Sequence, residues 1–172
     1  AEKGTLLIPS FSLQRTQVLL SEINTMVEDG TMEPIEMFLD SPLAIDVLEI
    51  YKRFSNLYNE EAKARIASGD DLFDFPKLTL TKAPEDSGGI EKVPNPKVII
   101  AGSGMSHGGR IRAHERRYLS DPRASILFVG YQTVGSLGRR IKDGAEKVKI
   151  DGEWVRVHAR VSCSWRTTRR CQ

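Results

Sequence analysis

The chain has 172 residues, 40% of them apolar and 28% charged, with a formal net charge of +2. That length and composition fit one folded domain with a buried core and are those of an ordinary globule, for which disorder is not the default. No run of 18 or more apolar residues occurs, and the opening AEKGTLLIPSF has neither a basic leader nor an apolar signal core, so a cytoplasmic protein with no membrane partner is expected.

The chain opens on Ala1, only a few residues before a strand, which suggests a piece of a longer protein. GTLLIPSF reads as a buried strand, and LQRTQVLLSEINTMVEDG as a helix with Leu19, Ile23, Met26 and Val27 on one face and Gly30 as its stop. IEMFL is a second strand. In DSPLAIDVLEIYKRF, Ser41 can cap a helix, Pro42 suits its first position, and Leu43, Val47, Ile50 and Phe54 share a stripe. NEEAKARIASG is a polar helix, LTLTKAP a third strand, and EDSGGIEKVPNP a surface loop by its glycine, proline and charge content. KVIIAG is strand four, GRIRAHERRYLSD a helix, ASILFVG strand five and GSLGRRIKDG a short helix. EKVKIDGEWVRVHARV closes as a hairpin turning at Asp151-Gly152, with Val148 and Ile150 alternating on one arm and Val155 and Val157 on the other.

Strands alternating with helices predict an α/β fold: a mostly parallel sheet flanked by helices on both faces, with a C-terminal β-hairpin. Ligands of such sheets bind beyond the C-terminal strand ends, so the loops to watch run over residues 10–15, 40–42, 102–110 and 130–135.

Residues 1–100 hold 10 Lys and Arg against 17 Asp and Glu, a net −7, whereas residues 101–172 hold 15 against 6, a net +9. Arg110, Arg112, Arg116, Arg117, Arg123, Arg139, Arg140 and Lys142 form a basic stretch that would attract phosphates, or else a solvated helix face. Cys163 and Cys171 are too few and too close to build a disulfide scaffold. VIIAGSGMSHGGRIRAH offers Gly102 and Gly104 but places its next glycine, Gly108, one residue too late for a dinucleotide fingerprint, and no Gly-Lys-Ser/Thr follows. His107, His114 and His158 lack metal-ligand spacing. Anion binding remains: Gly104, Gly108 and Gly109 would let amides approach a phosphate, with Arg110 as a forked donor.

LLIPSFSLQRTQVLL, MFLDSPLA, VIIAGSGMSHGGRI and ILFVGYQTVGSLGRRI occur in this order. Together they resemble the β-CASP domain of the metallo-β-lactamase-type RNA-processing nucleases, the family of ribonuclease J and the pre-mRNA 3′-end cleavage endonuclease. The resemblance covers residues 4 to 160. It implies a three-layer, Rossmann-like domain over residues 1–161, inserted in a metallo-β-lactamase fold whose zinc cleft it caps while single-stranded RNA threads between the two. Residues 162–172 match nothing in the family and are expected to be a disordered tail.

Carried over position by position, the resemblance places Ser103, Gly104, Met105, His107, Gly108, Gly109 and Arg110 on a cleft-side loop that contacts nucleic acid. Arg15 and Gln17 match a second such segment, Asp40 and Ser41 with Pro42 a third, and Tyr131, Gln132 and Arg139 a fourth. Asp40 could equally cap its helix, and Arg15 could pair with a carboxylate. The chain departs from the family in three places. Gln14 stands where a glycine is common, VHARVSC replaces a Phe-Ser-Ala-His-Ala-Asp stretch, and the His-x-His-x-Asp-His zinc motif is absent. The resemblance therefore implies a hydrolase whose intact form uses zinc, with no catalytic residue and no metal ligand on this chain. Its partners would be RNA, the metallo-β-lactamase domain of the same protein, and in one arrangement a second copy in a homodimer. Other readings of the residues are a free-standing nucleotide-binding α/β enzyme and an inactive β-CASP scaffold in an RNA-processing complex.

Overall fold

A computed structural model describes residues 4–164. In chain order these form β1 (Thr5–Pro9), α1 (Arg15–Glu28), β2 (Glu36–Asp40), α2 (Pro42–Arg53), α3 (Glu60–Ala67), β3 (Leu78–Leu80) and α4 (Pro84–Gly89). There follow β4 (Lys97–Ala101), α5 (Ile111–Tyr118), β5 (Ser125–Phe128), α6 (Leu137–Lys142), β6 (Lys147–Ile150), β7 (Glu153–Arg156) and β8 (Arg160–Cys163). Six strands make one sheet in the order β3-β2-β4-β1-β5-β8, and every neighbouring pair is parallel. β6 and β7 form a separate antiparallel hairpin.

A strand covered on both faces must be apolar on both, and the central strands are. Leu7, Phe38, Ile99, Ala101, Ile126 and Phe128 face one layer, which contains Ile111 and Leu119 of α5, Leu137 and Ile141 of α6, and the inward Val148, Ile150 and Val155 of the hairpin. Ile8, Met37, Leu39, Val98 and Ile100 alternate onto the other, against Leu20 and Ile23 of α1 and Ala44, Ile45 and Leu48 of α2. The fold is thus the α/β sandwich with C-terminal hairpin that the strand and helix pattern predicts. At the sheet's other end Lys97 is buried, and it is tolerated there because its ammonium donates to the carbonyls of Val93 (2.7 Å) and Ile90 (3.0 Å).

Four local expectations need correction. On α1 the buried positions are Thr16, Gln17, Leu20, Ile23 and Asn24, while Met26 is exposed. The polar members bond inward: Asn24 donates to Asp70 and to the Asp71 carbonyl, and Thr16 to Ser10 and Phe11. On α2 the Ser41 hydroxyl does cap the helix, accepting from the Ala44 amide, and Pro42 opens it. That cap fixes the helix phase so that Ala44, Ile45 and Leu48 meet the sheet, leaving Leu43, Ile50 and Phe54 about half exposed or more. The stretch read as a loop after Pro84 contains α4 and a 3-10 turn, Ile90–Lys92, whose Ile90 is buried. Finally, the expected disordered tail begins inside the sheet: Ser162 and Cys163 belong to β8, which pairs with β5 as the edge strand. The rest of that tail, from residue 165, lies outside the described residues.

Candidate functional site

β1 and β4 are neighbours, yet α1 leaves β1 for one face of the sheet and α5 leaves β4 for the other. The loops therefore splay apart at their C-terminal ends and open a crevice, the place where doubly wound sheets bind ligands. Ser12 after β1, Ser41 after β2 and Gly102 after β4 meet there. The two hydroxyls are 3.4 Å apart, and a Cβ on Gly102 would lie 3.1 Å from the Ser41 oxygen.

Beneath this floor sits Asp40, fully buried at the end of β2. Its Oδ1 accepts from Arg110 Nη1 (2.7 Å) and Thr81 Oγ1 (2.8 Å); its Oδ2 accepts from Ser87 Oγ (2.6 Å) and His114 Nε2 (2.7 Å). Burial alone would raise the carboxyl, but the hydrogen bonds from His114, Ser87, Arg110 and Thr81 outweigh it and hold the pKa at about 2. The guanidinium of Arg110 is engaged beyond Asp40, donating to the carbonyls of Thr81 (2.8 Å) and Lys82 (2.7 Å). Arg110 thus clamps three loops together and has its forked donors turned into the protein.

The glycine-rich loop is bonded to itself. Ser103 Oγ accepts from the amides of His107 (3.1 Å) and Gly108 (3.3 Å), and the Ser103 amide donates to the Gly108 carbonyl (3.1 Å). Gly109 has φ +72° and lies so close to Gly102 that a Cβ would sit 2.4 Å from its oxygen. Gly104 and Gly130 flank the Phe11 ring, where a Cβ would come within 2.6 and 2.9 Å. Gln132, also buried, donates to the carbonyls of those same two glycines. The half-buried Met105 accepts from the Gly138 amide through its carbonyl. Behind the loop, Ser106 donates to Glu115, a buried carboxyl whose second oxygen has no partner among the described residues. Burial pushes Glu115 up to about 8, against the opposing effects of Ser106 and Arg112.

The structure brings the four predicted segments to one end of the sheet and divides their residues by role. Asp40, Ser41, Ser103, Gly104, Gly109, Arg110, Gln17 and Gln132 hold the loops in shape, with Gln17 donating to the Ser12 carbonyl. Arg139 pairs with Asp143 (2.6 Å). Arg15, His107 and Tyr131 are exposed on the rim beside Leu13 and Val134, and Gly108 has open space around its Cα. The Arg15 guanidinium forms no hydrogen bond or ion pair among the described residues, so the carboxylate partner considered for it is not there. Phe11, Thr81, Ser87, His114 and Glu115 are members the sequence did not nominate. His114, excluded there as a metal ligand by its spacing, is a hydrogen-bond partner of Asp40. Among the described residues no three His, Cys, Asp or Glu side chains converge on one point, and Asp40 and His114 are bonded to each other. These side chains do not fit a zinc centre, and no catalytic step is assigned to them.

A doubly wound α/β domain with its loops locked around a switch-point crevice is the class this geometry defines. Residues 16–141 match the family model of the Beta-Casp domain, and the chain belongs to that family, as its four motifs imply. It is 38% identical over 161 residues to ribonuclease TTHA0252 of Thermus thermophilus, covering 94% of this chain and 37% of that protein. It is 28% identical over 152 residues to the transcription termination factor FttA of Methanosarcina mazei (87% and 24%) and 27% identical over 146 residues to the RNase J-like protein of Methanocaldococcus jannaschii (85% and 32%). The chain spans between about a quarter and two fifths of the length of these relatives. Among the described residues no helix is long and apolar enough to cross a membrane.

Proposed function

We propose that this chain is the RNA-facing domain of a zinc-dependent RNA hydrolase, capping the cleft of a metallo-β-lactamase domain and orienting single-stranded RNA there. The observation that carries the reading is the rim of the crevice. It offers at Arg15 a guanidinium unpaired among the described residues, exposed rings at Tyr131 and His107, and serine hydroxyls below; Asp40 and Arg110 tie the loops after β2, β3 and β4, and Phe11 and Gln132 pack those after β1, β4 and β5. Phosphates are held by cations and hydroxyls, and unstacked bases lie on aromatic faces. The names of the relatives, a ribonuclease and an RNase J-like protein, support the same substrate class. The zinc and its ligands belong, in this reading, to the lactamase portion of the longer protein, so this domain binds RNA without cleaving it.

Titration of a labelled single-stranded RNA by fluorescence anisotropy tests the reading. Tyr131→Ala is expected to weaken binding by about 5- to 100-fold through lost stacking. Arg15→Ala is expected to weaken it at low salt and to flatten the log–log salt dependence by about 0.7, the share of one phosphate on a single strand. Affinities unchanged in both variants would overturn the assignment of RNA to the crevice.

A further inference from the structure

Most of the basic stretch read from the sequence is neutralised inside the fold. Arg110 pairs with Asp40, Arg112 with Asp151, Arg117 with Glu91, Arg123 with Asp121 and Arg139 with Asp143. Among the described residues Arg15, Arg53, Lys92, Arg116 and Arg140 also lack an ion pair but stand on separate helices and turns, whereas the unpaired Lys147, Lys149 and Arg156 lie together on the hairpin. Its inward Val148, Ile150 and Val155 are buried, and alternation turns Lys147, Lys149, Trp154 and Arg156 outward, all exposed. The register sets Lys147 directly opposite Arg156 and Lys149 opposite Trp154. Two like charges facing each other across a pair of strands destabilise the hairpin. Glu146 and Glu153 are the nearest carboxylates along these strands, and neither forms an ion pair with Lys147, Lys149 or Arg156 among the described residues.

Trp154 is 60% exposed, with the Lys147 ammonium 5.1 Å from its ring centroid. The hairpin is also fastened to the crevice. Arg112 joins the Asp151 carboxylate at the turn (2.8 Å) to the His107 carbonyl of the glycine-rich loop (3.2 Å). The outward face of β6 and β7 therefore starts beside the rim and runs away from it as a narrow strip of cations around one indole.

We propose that this outer face is a second contact for single-stranded RNA, with a base stacked on Trp154 and the flanking phosphates held by Lys149, Arg156 and Lys147. The inference rests on the reading that the domain binds RNA, and extends the path of the strand from the crevice past the Asp151 turn. A lone aromatic among cations suits a base and its phosphates. A protein partner would need a contiguous apolar centre, and an interfacial lipid site a broader apolar face, and the hairpin keeps its aliphatic residues inside.

Trp154 supplies its own signal once Trp165→Phe makes it the only tryptophan. RNA is expected to quench its fluorescence, and Trp154→Ala to weaken binding of a long single strand about 5- to 100-fold, with Trp154→Phe restoring most of the affinity. Lys149→Glu with Arg156→Glu should weaken binding and reduce its salt dependence, while the melting temperature stays at or above that of the parent. If RNA binds, Arg15→Ala weakens it, and the hairpin variants and the Trp154 signal are indifferent, the hairpin proposal falls and the crevice reading stands. If only the hairpin variants matter, RNA is held by the hairpin and the crevice reading falls. Quenching by anionic lipid vesicles but not by RNA would overturn the proposal in favour of a membrane surface.

Discussion

Asp40 stays ionised in the interior because each of its oxygens accepts twice, from Thr81 and Arg110 on one side and from Ser87 and His114 on the other. A buried pair of this kind adds little beyond what an apolar substitute would give, but removing one partner strands the other. Arg110→Ala would leave Asp40 short of a charged donor and the Thr81 and Lys82 carbonyls unpaired, at an expected cost of about 3–5 kcal/mol. Arg110→Lys should recover only part of this, since an ammonium cannot reproduce the fork that reaches three acceptors. Urea unfolding checks both. If Arg110→Ala leaves stability unchanged but abolishes RNA binding, the guanidinium serves the ligand and not the fold. The sequence alone could not distinguish these roles. The four groups that bind Asp40 lie 41, 47, 70 and 74 residues further along, and only the return of the chain to the same sheet edge makes them neighbours.

The connection from β1 to α1 shows what is local and what is not. Gln14 has φ +63° and ψ −54°, closed by a hydrogen bond of 2.8 Å from the Arg15 amide to the Leu13 carbonyl. That γ-turn is strained for any residue with a Cβ. It makes Gln14→Gly an expected gain of about 1 kcal/mol, readable as a rise in melting temperature; a fall would show that the Gln14 side chain holds the turn. Strand positions, the Ser41 cap and the Asp151-Gly152 turn were legible because each is decided within a few residues. The buried faces of α1 and α2 were not. Both helices carry more than one apolar stripe, and the choice falls to contacts elsewhere: Asn24 reaches Asp70, and Ala44 lets α2 approach β2. The site was legible as a set of loops, through the resemblance, but the division between residues that hold the loops and residues left exposed on the rim needed the packing of Phe11, Gly104 and Gly130.

Taken over the molecule, the acidic first part and the basic second part are joined by ion pairs, Arg110 with Asp40 and Arg117 with Glu91. Two neighbouring residues of α5 then give the whole domain opposite responses to pH: His114 bonds a carboxylate held ionised, and Glu115 is a carboxyl held protonated. Asp40 titrates at about 2 when folded, below its ordinary value, so its contribution of about 2 kcal/mol is present above pH 4 and is lost as pH falls towards 2. Glu115 acts in the other direction. With its pKa raised to about 8, the folded domain keeps a proton that the unfolded chain releases above about pH 4.5, so stability falls as pH rises from there to 8 and levels off beyond. Urea midpoints measured from pH 3 to 9 should therefore peak near pH 4–5 and decline by roughly 2–4 kcal/mol towards pH 8. Glu115→Gln keeps the shape of the protonated side chain and its ability to bond Ser106 without the charge, so it should remove that decline and leave the acid limb intact. A decline that persists in Glu115→Gln would place its origin in another group, and a flat wild-type profile above pH 5 would mean that Glu115 is ionised in the folded domain, with water or a shift of Ser106 satisfying its second oxygen.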